Sequence, residues 1–324
     1  MLVVRSILCP VDFSEQSRHA LRWAAAIAQY RGGELTVLSV LEPLLAEAAG
    51  IRFGIDMVHA DAEPALREFV ETTLPDNVRE KSRVRTEVAV GAPAEAILET
   101  SRRLDPALIV MGTHGLGGFR KFLLGSTTEP VLQRAEWPVL ALPGGAVSPS
   151  AVEHFGVQIK KILLATDLAD NALTATQWAA DLAAEIGVPL VLAHVVDPVL
   201  VSPQWQPLVA DLDSEHVASA QRALTNLAAS LRSANNEVVV SVGPPADTIA
   251  SLAVEHEAGL VVMGLGHPEG QESGRPDSIA YRVLRIAHAA VAVVPRSRVH
   301  APNLAGQRTA VLAATASAGQ SSAN

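Results

Sequence analysis

The chain repeats itself, and that limits its folds more than any other feature. Ile162–Asp167 matches Ile7–Asp12, Trp178-Ala179-Ala180 matches Trp23-Ala24-Ala25, and Leu190–Pro198 matches Leu35–Pro43 without a gap. Gly243-Pro244-Pro245-Ala246 answers Gly91-Ala92-Pro93-Ala94, and Leu260–Gly264 answers Leu108–Gly112. From there the match runs without a gap through Pro143 and Pro295. The one change in length falls between the second and third strands of the pattern. Two copies of one pattern require two copies of one fold, each about a domain long. The copies span residues 1–145 and 159–296, joined by a linker at 146–158. Residues 297–324 are rich in Ala, Ser and Gly, have little to bury, and read as a disordered tail.

Within the first copy, short apolar runs alternate with amphipathic segments. Val3–Val11, Leu35–Leu41, Val84–Val90, Ala107–Met111 and Val139–Leu142 read as strands, apolar on both faces as central parallel strands are. Ser14 is placed to N-cap a first helix carrying Ala20, Leu21, Ala24 and Ile27, which Gly32-Gly33 stops. A loop over Leu44–Met57 leads to helices over Ala60–Leu74, Ala94–Leu104 and Thr127–Ala135. Strands alternating with helices imply an α/β fold, with a parallel sheet and right-handed crossovers. The 49% hydrophobic and 18% charged content supplies well-buried cores.

The fourth strand runs into Met111-Gly112-Thr113-His114-Gly115, and nine residues later Gly125-Ser126 precede the last helix. Glycines where a strand gives way to a helix let backbone adopt positive φ and let a ligand approach closely. Free N–H groups and a helix dipole at such a point favour an anion, typically phosphate. Ser126 and Glu129 have the spacing of a capping box. An ordinary tight turn with an N-cap fits the spacing about as well.

Gly112-x-x-Gly115, nine residues, then Gly125-Ser126 resembles the ATP-binding signature of the universal stress protein family. Ile7–Ser14 and Trp137-Pro138-Val139-Leu140 resemble the same family, and the likeness covers nearly the whole chain, twice over. It implies two doubly wound domains, each a five-stranded parallel sheet of order 3-2-1-4-5 with helices on both faces. It implies ATP, with Mg2+, in the first copy. Pro10, Asp12 and Val40 match positions lining the family's adenosine pocket. Met111, Gly112, Gly115, Gly125, Ser126 and Thr127 match its phosphate loop. Asp12 is suited to accept hydrogen bonds from a ribose or an adenine amine, and equally to cap a helix. Arg120 and Lys121, inside the nine-residue loop, are placed to screen the outer phosphates, though solvated side chains are the commoner role. Pro130 departs from the family's pattern but is tolerated in a helix's first turn. Family members also pair through their last strands, so Val139–Leu142 and Val291–Val294 are expected to pair the two copies.

The second copy keeps Gly112 as Gly264 and Ser126 as Ser278, but has His267 for Gly115 and Asp277 for Gly125. Two negative charges about 4 Å apart repel by roughly 4 kcal/mol at an effective dielectric near 20, so Asp277 opposes a phosphate. Asp167 and Val195 keep the adenosine-side positions, leaving a nucleoside-shaped crevice without a phosphate grip.

Other chemistries lack support. The net charge of −9 and pI of about 5.6 argue against a nucleic-acid surface. No apolar run reaches the ~18 residues of a membrane helix, and no signal peptide is evident. Cys9 is the single cysteine, which excludes an intrachain disulfide, suits a reducing cytoplasm, and reads as a core thiol. The ten histidines show no metal-ligand spacing, so a metal site is unknown, and no P-loop or nucleophile elbow occurs. The expected role is an ATP-binding, stress-response regulator in which the second copy serves pairing or regulation. An enzyme reading, a slow ATPase or ATP-dependent transferase, lacks a nameable base and metal ligand. A third reading is an interaction module whose glycine loop is inherited scaffold.

Overall fold

A computed structural model of the chain describes residues 6–42, 55–113, 124–143, 159–169, 172–198, 202, 206–231, 235–265 and 278–295. The first copy runs β1 (Ser6–Val11), α1 (Glu15–Arg31), β2 (Glu34–Leu41), α2 (Ile55–Thr73), α3 (Asp76–Lys81), β3 (Val84–Val90), α4 (Pro93–Leu104), β4 (Leu108–Gly112), α5 (Thr128–Arg134) and β5 (Val139–Leu142). The second runs β6 (Ile162–Ala165), α6 (Leu173–Ile186), β7 (Leu190–Val196), α7 (Gln206–Ser230), β8 (Asn236–Val242), α8 (Pro245–Glu255), β9 (Leu260–Gly264), α9 (Ile279–Ile286) and β10 (Ala290–Val294).

All ten strands join one sheet, in the order β3-β2-β1-β4-β5-β10-β9-β6-β7-β8. Each half has the order 3-2-1-4-5, and every pair within a half is parallel. The halves meet where β5 and β10 pair antiparallel, with Val139 opposite Val293, Leu140 opposite Ala292 and Ala141 opposite Val291. The final strands therefore do pair within the chain, as the edge argument requires, and two five-stranded sheets become one.

Alternation along the strands divides the core. Ile7, Cys9 and Val11 face the layer of α1 and α2, while Leu8 faces that of α4 and α5. Both apolar layers continue across the β5–β10 seam: Leu140 and Ala292 lie in one, Val139 and Val293 in the other. Cys9 is fully buried, and burial pushes its thiol well above the ordinary range, which suits a core thiol rather than a nucleophile.

Some element bounds differ from the sequence reading. β4 begins one residue later and includes Gly112. α2 begins at Ile55, inside the stretch read as a loop, and carries Pro64. The short helix α3 follows Pro75, whose missing N–H suits a helix start. In the second copy residues 208–230 contain no proline, and one 25-residue helix, α7, takes the place of two. Residues 144–158 and 296–324 lie outside the described residues, as do Met1–Arg5.

Candidate functional site

In each half the chain turns back between its first and fourth strands, and open parallel sheets bind ligands at such a switch point, beyond the strands' carboxyl ends. In the first copy β1, β2 and β4 end there together. They end in Pro10-Val11, Val40-Leu41 and Met111-Gly112, with Asp12 just past β1, which brings Pro10, Asp12, Val40, Met111 and Gly112 to one end of the sheet. Pro10 and Met111 are buried, while Asp12, Val40 and Gly112 are partly exposed.

The link from β1 to α1 is tightly bonded. Asp12 Oδ1 accepts from the Ser14 amide at 3.1 Å and from the Ser14 hydroxyl at 2.5 Å. Ser14 Oγ in turn accepts from the Ser17 amide at 3.1 Å, the N-cap expected of it. Asp12 is thus committed at one oxygen to holding the helix start, the structural role weighed for it. The turn places Phe13 at φ 65° and sets its ring edge-on to Phe69 at 5.3 Å. Arg18 lies over the Phe69 ring at 4.4 Å and donates to the Thr73 hydroxyl at 2.6 Å, tying α2 to the first turn of α1.

Gly112 faces that same turn. A Cβ on Gly112 would lie 3.1 Å from Gln16 Cβ and 3.4 Å from the Gln16 carbonyl carbon and oxygen. Its φ is not positive, so the need for glycine here is one of space rather than of conformation. At the aligned Gly264 the nearest atom among the described residues, Ala175 Cβ, is 3.6 Å away, an ordinary contact. The two helix starts differ as well. Ser14 has become Ala169, no side chain caps α6, and α6 has 14 residues where α1 has 17. Both helices end at aligned glycines in the left-handed conformation, Gly32 and Gly187.

The glycine loop is pinched at its neck. Thr113 is fully buried; its amide donates to Leu142 O at 3.1 Å, and its own carbonyl accepts from the Gly125 amide at 2.7 Å. The Thr128 hydroxyl donates to Gly112 O at 2.9 Å, fastening the start of α5 to the end of β4. The capping box read from Ser126 and Glu129 does not form. Thr127 occupies the N-cap in helical conformation with no side-chain cap bond, and Ser126 is exposed. Thr128 does the fastening, which leaves Ser126 turned outward, whereas the aligned Ser278 does cap α9, accepting from the Tyr281 amide at 3.4 Å. Pro130 falls at the third helical position, where its missing N–H is harmless. Gly115, Arg120 and Lys121, and in the second copy His267 and Asp277, lie outside the described residues.

Thr113, Thr128 and Gln16 went unread in the sequence. The signal for the two threonines lies in the comparison of copies, where they become Leu265 and Ala280. In the second crevice Asp167 repeats the Asp12 turn, accepting from the Ala169 amide at 3.1 Å, and His194 Nδ1 sits 2.8 Å from Thr166 O. No three His, Cys, Asp or Glu side chains converge to hold a metal among the described residues. No described helix is long and apolar enough to cross a membrane.

These features define a tandem doubly wound α/β protein with aligned switch points in its two halves. The chain belongs to the universal stress protein family, whose model matches residues 4–143 and again 158–295. A universal stress protein of Mycobacterium tuberculosis is 26% identical over 305 residues, spanning 90% of this chain and 96% of that one. One from Methanocaldococcus jannaschii is 26% identical over 155 residues, 44% of this chain and 96% of that protein. Among solved structures, a universal stress protein from Archaeoglobus fulgidus superposes with TM-score 0.61 at 20% identity, covering 91% of this chain and 99% of that one.

Proposed function

We propose that the first copy binds ATP and that occupancy of this crevice regulates the chain's conformation or partners in a stress response. The observation that carries this reading is the close approach of Gln16 to Gly112. The β4 terminus is kept bare where a capped helix start meets a pinched glycine loop. Adenosine is assigned to Pro10, Asp12 and Val40, and the phosphates to Met111, Gly112, Gly115, Gly125, Ser126 and Thr127. Gly112 and Gly125 fit that role because neither places a side chain between backbone and ligand. Mg2+ is assigned to the nucleotide's own phosphates.

The second copy, in residues 159–296, serves pairing. Its uncapped α6 and the substitutions Leu265 and Ala280 remove the parts that shape the first crevice. Mass spectrometry of the small molecules released by heat from the purified protein tests the reading. An adenine nucleotide is expected, and an empty protein that also fails to take up added MgATP would refute it. Incubation with MgATP then separates a regulator from a slow ATPase: ATP recovered intact supports regulation.

A further inference from the structure

The β5–β10 seam has a local two-fold axis through Leu140 and Ala292, which are aligned residues of the two copies and face each other. An interface of this kind is isologous, so aligned residues meet near the axis. Here they differ. Leu140 opposes Ala292, large against small, and both are buried in the shared apolar layer. On the α1–α6 face, Tyr30 meets its aligned residue Glu185, the Tyr30 hydroxyl donating to Glu185 O at 3.0 Å. On the α5–α9 face, Tyr281 aligns with Glu129. Tyr281 is fully buried, and burial, with the nearby Glu129 carboxylate, pushes its hydroxyl well up.

We infer that this seam is built to pair unlike copies: the mismatched residues at the axis favour first copy against second over either copy against its own kind. A first–first pair would set Leu140 against Leu140 in a close-packed layer and bring two Glu129 carboxylates together. Overpacking and like-charge contact both oppose it. A second–second pair would set Ala292 against Ala292, leaving a void, and crowd two buried Tyr281 rings. Only the unlike pair fills the layer with one large and one small residue and leaves one carboxylate on its face. The partner this surface fits is the opposite copy, in the same chain or, by exchange, in another.

The test uses the full chain with a protease site inserted between residues 146 and 158, folded and then cleaved. Isotope-labelled and unlabelled preparations are mixed in mild urea until the labels have scrambled between complexes, then read by native mass spectrometry. Unlike pairs should dominate, with like pairs fewer than roughly one in ten. A statistical mixture near one to two to one, or fragments that separate as monomers, overturns the inference. Leu140→Ala makes every pairing Ala against Ala and should raise the like-pair fraction severalfold. If that variant does not fold, Glu129→Gln, on a half-buried side chain, should still raise first–first pairs. Like-pair fractions unmoved by a folded variant would also overturn it.

Discussion

Gly112→Ala and Gly264→Ala make the same change at aligned positions, and the structure gives them opposite signs. At Gly112 the new methyl meets Gln16 Cβ at 3.1 Å and the Gln16 backbone at 3.4 Å. The obstacle is the first turn of α1, held by the Asp12–Ser14–Ser17 bonds, so it yields only by disturbing that cap. Overpacking of this kind costs about 1–3 kcal/mol, and one methyl belongs near the lower end. Replacing glycine where φ is not positive recovers roughly 0.4–1 kcal/mol of unfolded-chain entropy. With about 1–1.5 kcal/mol for the methyl, Gly112→Ala should therefore destabilise by up to about 1 kcal/mol. Among the described residues the Gly264 methyl meets Ala175 Cβ at 3.6 Å, an ordinary contact. Gly264→Ala should be neutral or stabilising by up to ~1 kcal/mol. Equilibrium urea unfolding of both full-length variants, followed by far-UV circular dichroism, gives the comparison at unchanged m. Equal midpoints, or Gly112→Ala the more stable of the two, would refute the claim that α1 presses on β4 at Gly112.

Ser14→Ala removes the acceptor for the Ser17 amide and should cost about 1 kcal/mol, read as a lower urea midpoint; an unshifted midpoint would deny the cap its role. Gly125→Asp, which installs the second copy's residue, should weaken ATP binding at least a hundredfold, from roughly 4 kcal/mol of repulsion at about 4 Å, with the circular dichroism spectrum unchanged. Unaltered affinity would remove the phosphates from this loop. Alkali should destabilise the fold, because burial raises both the Cys9 thiol and the Tyr281 hydroxyl. The unfolded chain then loses protons first, from about pH 8.5 for the thiol and 10 for the phenol. Stability is whole below that range and falls above it, and Tyr281→Phe should flatten the fall above pH 10; a flat wild-type profile to pH 11 would contradict it.

The fold was legible because its signals are local and doubled. The apolar strands, the Ser14 cap and the Gly32 stop all follow from residue chemistry, and the second copy repeats most of them. The errors fall where two local rules compete. Ser126 and Glu129 have capping-box spacing, but the Thr128 hydroxyl reaches Gly112 O and starts the helix from a different residue. Ile55–Met57 reads as loop beside Gly50 and Gly54, yet belongs to α2. At Gly112 the φ is not positive, and the structure adds a reason for glycine, crowding by Gln16 of a neighbouring helix, that no spacing reveals. Thr113 looks unremarkable in sequence because its importance lies in main-chain bonds to Leu142 and Gly125, 29 and 12 residues away.

The central claim is one phosphate-gripping crevice per chain, in the first copy. Isothermal titration of nucleotide-free full-length protein with MgATP measures it directly. The account predicts a stoichiometry near one per chain, abolished by Gly125→Asp. Two equivalent sites per chain, or one site that survives Gly125→Asp, would contradict it.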